Sequence, residues 1–172
     1  MDAYVALAKY GIESYVRNGK RASLYKGIPE EFLTNKAGVF VSLKKDGKLR
    51  GCIGTISPVK ENIGEEILEN GVSAATRDPR FEPVREEELD QLEYSVDVLF
   101  PPEPIDSKAL LDVKEYGVIV TSGNRRGLLL PNLEGVETVQ QQVFIALSKA
   151  GIRQGEPFQM ERFKVIRHEE SM

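Results

Sequence analysis

The sequence is short of the residues that bind metals and form disulfides. Its 172 residues include one cysteine, Cys52, one histidine, His168, and no tryptophan. A single cysteine excludes an internal disulfide, and one cysteine with one histidine supplies no Cys/His cluster for zinc. No phosphate-binding P-loop and no dinucleotide glycine pattern occurs either. The sequence therefore predicts neither a metal site nor a bound cofactor.

Long apolar runs and an excess of basic residues are also absent. No apolar segment approaches the roughly 18 residues that span a membrane, and the first residues, M-D-A-Y-V-A-L-A-K-Y-G, do not have the pattern of a secretory signal. The 23 basic and 27 acidic side chains give a net charge of -4, so there is no general positive field for nucleic acid. We expect a cytoplasmic protein, for which a lone cysteine is typical.

The patterns that are present predict a mixed fold. Hydrophobic residues make up 41% of the chain and charged residues 29%, as in a soluble globular protein, and no linker or repeat divides residues 1–172. Helical and strand-like segments alternate irregularly, which favours an α+β class with a largely antiparallel sheet and packed helices. Helices are expected over 5–18, after Ser57-Pro58, over 82–92 and over 139–150; strands over 38–45, 48–56, 94–98, 118–121, 126–130 and 163–166.

The first predicted hairpin determines where its polar residues point. Asp46-Gly47 is typical of a two-residue type I′ turn, in which Lys45 faces Lys48. Counting outward pairs Leu43 with Arg50 and Val41 with Cys52, so Arg50 and Cys52 are expected beside the valines of the neighbouring strand. A slip by one residue would place Leu49 and Ile53 there instead.

A guanidinium in such surroundings needs acceptors, because it hardly ever loses its charge. We expect a carboxylate, backbone carbonyls or an anionic ligand near Arg50. Gly51 and Gly54 leave room for another backbone or for a small molecule. Two further segments offer the same residue types: T-R-D-P-R-F contains Asp78 and Arg80, and the second hairpin contains Arg126-Gly127.

Cys52 has two interpretations. A catalytic thiol needs a lowered pKa or an adjacent base, and the sole imidazole is that of His168, expected in solvent at the end of the last strand. A Cys52–His168 pair would require this strand to pass the first hairpin. A buried cysteine more often acts as a small hydrophobic residue, so the structural interpretation is favoured and the nucleophile is the alternative.

Four motifs give the chain a resemblance to a known family. They are L-R-G-C-I-G-T at 49–55, D-P-R-F at 78–81, R-G-L-L-L-P at 126–131 and K-A-G-I at 149–152. In this order they resemble the AMMECR-type proteins. The resemblance implies an α+β fold of two closely packed subdomains and a place in the AmmeMemoRadiSam system, beside or fused to a Memo-like protein and alongside a radical-SAM protein. A single AMMECR-type domain of a longer polypeptide is therefore an expectation.

The resemblance brings no settled reaction, and it is imperfect at Asn132, where many relatives have glutamine. Its motifs point to a site formed by Arg50, Gly51, Cys52, Gly54, Asp78, Arg80, Arg126 and Gly127. We expect an enzyme or enzyme subunit that binds a small anionic or phosphorylated ligand in a cleft there, with Cys52 as the candidate catalytic residue. The alternatives are a buried ion-pair network in a non-catalytic module that docks on a Memo-like partner, and an RNA-binding accessory.

Overall fold

A computed structural model describes residues 1–170, which divide into two compact units. The first unit contains residues 1–99 and 166–170, and the second contains residues 100–165. Within these 170 residues no helix is long and apolar enough to cross a membrane.

The first unit packs three helices on a four-stranded sheet. The helices are α1 (Ala3–Asn18), α2 (Glu31–Thr34) and α3 (Ile63–Thr76), and the strands are β1 (Val39–Lys45), β2 (Lys48–Gly54), β3 (Leu92–Leu99) and the last strand of the chain (Val165–Glu169). The strand order is β2, β1, β3 and then the last strand, and β1 pairs antiparallel with both β2 and β3. A 3-10 helix at Glu86–Gln91 leads into β3.

Local sequence explains where these helices begin and end. The Asp2 carboxylate accepts hydrogen bonds from the backbone N–H groups of Tyr4 and Val5 and so caps α1. Gly19 ends the same helix in the left-handed region, at φ 69°. The apolar side chains of α1 and α3 form one core with the alternate residues Val39, Val41 and Leu43 of β1, all of which are fully buried.

The second unit repeats the plan with one helix. Its sheet contains β4 (Glu103–Ile105), β5 (Gly117–Ser122), β6 (Arg125–Leu129) and β7 (Gln159–Phe163) in the order β4-β7-β5-β6, and its helix is α4 (Val139–Ala150). Thr138 and Gln141 form a capping box at the start of α4, and Gly151 ends it at φ 73°. The last strand of the first sheet is therefore β8 (Val165–Glu169).

The α+β class with antiparallel sheets is confirmed. Four features differ from expectation. The helix expected after Ser57-Pro58 begins only at Ile63, because Asn62 and not Ser57 is its N-cap. The strands divide over two sheets, and the strand expected over 163–166 is two strands, because β7 ends at Phe163 in one sheet while β8 begins at Val165 in the other. The acidic helix expected over 82–92 is a 3-10 helix that begins only at Glu86.

The Asp46-Gly47 turn is confirmed, but the register beyond it is wrong. Both turn residues have positive φ, 53° and 76°, and Lys45 faces Lys48. A β-bulge then places Arg50 outside the ladder, so that Leu43 pairs with Gly51 and Ser42 with Cys52. The extra residue moves the side chain of Cys52 to the face of the sheet opposite the buried valines.

Candidate functional site

Polar side chains line the face of the first sheet that is opposite its core. Ser42 of β1 pairs with Cys52 of β2 on one side and with Ser95 of β3 on the other, so these three residues form a row across three strands. Asp97 lies on the same face, since it is two residues from Ser95. The row residues are half-buried and Asp97 is buried.

The thiol of Cys52 lies in this row with defined polar contacts. The Ser42 hydroxyl donates a hydrogen bond to Cys52 Sγ, with an O–S distance of 3.2 Å. The backbone N–H of Cys52 donates to Asp78 Oδ2 at 3.0 Å. Because this N–H is occupied by a carboxylate, it does not act as a donor to a developing oxyanion.

Asp78 fixes the guanidinium of Arg80 beside the same strand. Arg80 Nε donates to Asp78 Oδ1 at 3.0 Å and Nη2 to Oδ2 at 2.8 Å, while Nη2 is also 3.5 Å from the Cys52 carbonyl oxygen. Burial raises the pKa of the Asp78 carboxyl, but the hydrogen bonds from Arg80 and Cys52 outweigh burial and lower that pKa to about 2. The carboxylate is buried, whereas half of the Arg80 side chain is exposed (50%).

An ion pair on this face was missed by the sequence analysis, whereas the Asp78–Arg80 pair lies along the backbone edge of β2. Arg167 of β8 donates from Nε and Nη2 to the two carboxylate oxygens of Asp97, at 2.7 and 2.9 Å. Burial raises the pKa of the Asp97 carboxyl. Burial lowers the pKa of the Arg167 guanidinium, but the hydrogen bonds and charge of Asp97 outweigh burial and raise it. The hydrogen bond with Asp78 is the main reason that the pKa of Arg80 is raised.

Arg50 has a different set of partners from the one expected of a ligand-binding residue. Its Nε and Nη2 donate to the two carboxylate oxygens of Glu88 at 2.9 and 3.0 Å, and its Nη1 donates to the Glu82 carbonyl oxygen at 2.9 Å. The hydrogen bond from Arg50 is the main reason that the pKa of Glu88 falls to about 2. The carboxylate and carbonyls predicted for Arg50 are thus present, and they join the hairpin to the segment that follows α3.

The predicted glycines lie against other parts of the protein. A Cβ on Gly51 would overlap the Ala74 carbonyl oxygen of α3, and a Cβ on Gly54 would overlap the ring of Phe40. Gly127 lies in the same way against the carbonyl oxygen of Ala146 in α4. The groups that come close to these glycines are therefore the chain's own backbone and side chains.

Of the predicted site residues, the structure brings Cys52, Asp78 and Arg80 into one cluster. Arg126 and Gly127 belong to the second unit, where Arg126 Nη2 lies 3.3 Å from Glu161 Oε1. Asp78 pairs with Arg80, two residues away, because the turn folds the guanidinium back over the carboxylate.

His168 does not reach Cys52, and its expected position in solvent is wrong. Its strand, β8, is separated from β2 by two strands. The ring stacks on Tyr4, with centroids 3.8 Å apart, and Nδ1 lies 2.8 Å from Asp2 Oδ2. Because adjacent strand residues point to opposite faces, His168 faces α1 while Arg167 faces Asp97.

Comparison with known proteins agrees with this fold and with the motifs. The AMMECR1 family model matches residues 5–172. The chain belongs to the AMMECR1 family. It is 51% identical over 167 residues to a Thermotoga maritima protein, covering 96% of each chain, and 51% identical over 171 residues to the Clostridium acetobutylicum protein CA_C1420. The match covers 99% of this chain but 36% of the Clostridium protein, so the chain spans about a third of that relative's length.

A solved structure has the same fold as this AMMECR1-family chain. The crystal structure of the uncharacterized protein PH0010 from Pyrococcus horikoshii matches with a TM-score of 0.90 and 34% identity, over 97% of this chain and 89% of that one. The family membership and the fold predicted from the four motifs are therefore confirmed.

The cluster around Cys52 in this AMMECR1-family chain has few groups that could take part in catalysis. Within residues 1–170 no group of His, Cys, Asp or Glu side chains is arranged to hold a metal ion. The one imidazole of the sequence is held by Asp2, so Cys52 has no histidine base. Its sulfur contacts the Ser42 hydroxyl instead, and its backbone carbonyl oxygen lies 3.5 Å from Arg80 Nη2.

The departure at Asn132 has a physical account. This residue has a left-handed backbone, at φ 54°, and its N–H donates to the Val113 carbonyl oxygen at 2.7 Å. Asparagine is more frequent in the left-handed region than most residues other than glycine. Asparagine at 132 therefore suits the turn that follows β6.

Proposed function

We propose that this AMMECR1-family chain binds a small anionic ligand beside Cys52, as an enzyme or as a subunit of one. The observation that carries the proposal is the half-exposed guanidinium of Arg80, fixed by the buried carboxylate of Asp78 next to a half-buried thiol. Because the carboxylate lies underneath, the positive end of this pair faces outward, and an arginine so oriented suits carboxylate and phosphate groups.

The roles of the residues follow from their contacts. Arg80 supplies the charge that attracts the anion. Asp78 is a positioning residue, since it holds both the guanidinium and the backbone N–H of Cys52. Cys52 lines the site and is its candidate nucleophile, with the Ser42 hydroxyl in contact with its sulfur. Arg50 contributes indirectly, by holding the segment that carries Asp78 against the hairpin.

Alkylation of the native protein tests the proposal with two probes of similar size. Iodoacetamide is neutral and iodoacetate is an anion, and both alkylate a thiolate with loss of iodide. We expect the iodoacetate-to-iodoacetamide rate ratio of native Cys52 to exceed the ratio of the urea-unfolded protein. Arg80→Gln should lower the native ratio by about three- to tenfold, which corresponds to the roughly 1 kcal/mol of a charge interaction at 4 Å in water.

The matched control is Arg126→Gln, which removes an arginine of similar exposure (45%) from the second unit and should leave the ratio unchanged. Equal ratios in native and unfolded protein would overturn the proposal, and so would equal effects of the two arginine variants. Complete protection of Cys52 in the native state would show that no ligand reaches the thiol.

Docking on a Memo-like partner is the second candidate function, and the observation behind it is only that the Clostridium relative, of which this chain covers 36%, is longer than this chain. Family sequences thus occur inside longer polypeptides, where they have a covalent neighbour. Co-elution with a Memo-like protein encoded in the same genome, measured by gel filtration, tests this function. Docking that persists in Arg80→Gln and Cys52→Ser would separate it from ligand binding at Cys52.

A further inference from the structure

The face that carries Cys52 has hydroxyls between the Asp97–Arg167 ion pair and the Asp78–Arg80 pair at the edge of β2. Ser42 and Ser95 are directly opposite each other on β1 and β3, and both are half-buried. Ser42 Oγ contacts the sulfur of Cys52, whereas the Ser95 hydroxyl has no hydrogen-bond partner among residues 1–170. A serine hydroxyl rotates freely enough to donate to a ligand.

Strand spacing gives the width of this region. Cys52 and Ser95 are two strands apart, which corresponds to about 10 Å. Ser42 lies between them. Cys52, Ser42 and Ser95 all have small side chains, so no bulky side chain stands in this part of the face. Arg80 lies next to Cys52 at one end of this row. Arg167, which pairs with Asp97 of β3, lies at the other end.

Both ion pairs have the same orientation. The side chain of Asp97 is almost fully buried and that of Arg167 is more exposed, as with Asp78 and Arg80. In each pair the guanidinium is therefore the group nearer to solvent, with 50% of the Arg80 side chain and 19% of the Arg167 side chain exposed.

We propose that the ligand of this face carries a phosphate group, held between Arg80 and Arg167 above the hydroxyls of Ser42 and Ser95. The inference rests on the proposed function and extends its site from two strands to four. A phosphate group has three terminal oxygens and up to two negative charges, so it uses two guanidiniums and two hydroxyls more fully than a planar carboxylate with two oxygens does.

Protection of Cys52 from iodoacetamide measures occupancy of the site. The probes are inorganic phosphate, phenyl phosphate and acetate at constant ionic strength. We expect both phosphates to slow alkylation at concentrations at which acetate does not. A lower half-protecting concentration for phenyl phosphate would assign an ester, and equal values for the two phosphates would assign the free ion.

Two variants test the Arg167 side. Asp97→Asn with Arg167→Gln replaces the ion pair by neutral groups of similar size, which avoids leaving a buried charge unpaired. It should raise the half-protecting phosphate concentration at least about fivefold, the equivalent of one hydrogen bond of about 1 kcal/mol. Ser95→Ala should raise it by two- to fivefold on the same basis, while Ser148→Ala, at an exposed position of α4, should not change it.

Each other outcome overturns the inference. Unchanged phosphate protection in both Arg167-side variants would remove Arg167 and Ser95 from the site, and equal protection by acetate would refute the phosphate class. If phosphate gives no protection while the iodoacetate preference and its loss in Arg80→Gln persist, the inference fails and the proposed function stands. If that preference is absent, the proposed function fails as well.

Discussion

The hairpin β1–β2 and the hairpin β5–β6 both place an arginine directly before a glycine in their second strand. In both, a helix lies directly on that glycine. Gly51 lies against the Ala74 carbonyl oxygen of α3, and Gly127 against the Ala146 carbonyl oxygen of α4. The glycines thus have the same function in the two units, since each lets a helix backbone lie directly on a strand.

The arginines of the two hairpins differ. Arg50 lies in a bulge, is 16% exposed and makes two hydrogen bonds to Glu88. Arg126 pairs with Thr121 in a regular ladder, is 45% exposed and makes one contact of 3.3 Å with Glu161. The comparison teaches that an Arg-Gly step predicts close helix packing at the glycine, whereas the partners of the arginine depend on the ladder around it.

The largest expected effect tests what the hairpins share. Gly51→Ala and Gly127→Ala should each destabilise the protein by at least about 3 kcal/mol, because the new Cβ overlaps a helix carbonyl that cannot move without shifting the helix. Urea unfolding of each variant measures this, with Lys48→Ala, an exposed strand residue, as the control. A change below about 1 kcal/mol in one hairpin only would show that the glycines are not equivalent.

The next largest effect on stability should differ between the two hairpins. Glu88→Gln removes the carboxylate that holds Arg50 and should cost about 2–3 kcal/mol, somewhat less than the cost for a fully buried pair. Glu161→Gln removes an exposed partner and should cost no more than about 0.5 kcal/mol. Thermal or urea unfolding measures both, and similar losses in the two variants would contradict the contrast between the arginines.

The Arg50–Glu88 ion pair should also make the free energy of unfolding depend on pH, and this effect is smaller. The folded-state pKa of Glu88 is about 2, below its ordinary value of 4.5. A lowered pKa contributes stability that is present above the ordinary value and is lost as pH falls toward the folded value. The stability difference between wild type and Glu88→Gln should therefore shrink between pH 5 and pH 2.5. A constant difference over this range would contradict the Arg50–Glu88 assignment.

The free energy of unfolding of Glu88→Gln should still decrease at acid pH. Asp78 also has a pKa of about 2, because of Arg80 and the N–H of Cys52. Its contribution remains in the variant and is lost over the same acid range. Arg80→Gln in the Glu88→Gln background should flatten the remaining dependence, as measured by the urea midpoint at each pH.

Local sequence predicted the local features of this fold. The Asp46-Gly47 turn and the glycine stop of α4 depend on backbone preferences of one or two residues, and the structure has both. Alternation of Tyr94, Val96 and Val98 predicted β3, which spans these residues. The order of elements in each unit follows from such signals.

The features that position the candidate site are not local. The bulge at Arg50 accompanies a contact with Glu88, 38 residues away, and Arg167 meets Asp97 across 70 residues. A single sequence does not reveal which distant charges pair. The register predicted for the first hairpin therefore did not include a bulge at Arg50. Ser95 and Asp97 on the polar face of a predicted strand were the available signal, since an aspartate between valines needs a buried partner.

Cys52→Ser should have the smallest effect on stability, a change of less than about 1 kcal/mol, because the side chain is half-buried and points away from the apolar core. A serine oxygen also accepts the hydrogen bond that the Ser42 hydroxyl now donates to sulfur. The corresponding residue of the second hairpin, Leu128, follows its glycine into a buried position. Urea unfolding decides between the two interpretations of Cys52: a loss above about 2 kcal/mol would make it a packing residue like Leu128, whereas near-neutral stability leaves its thiol to the polar face.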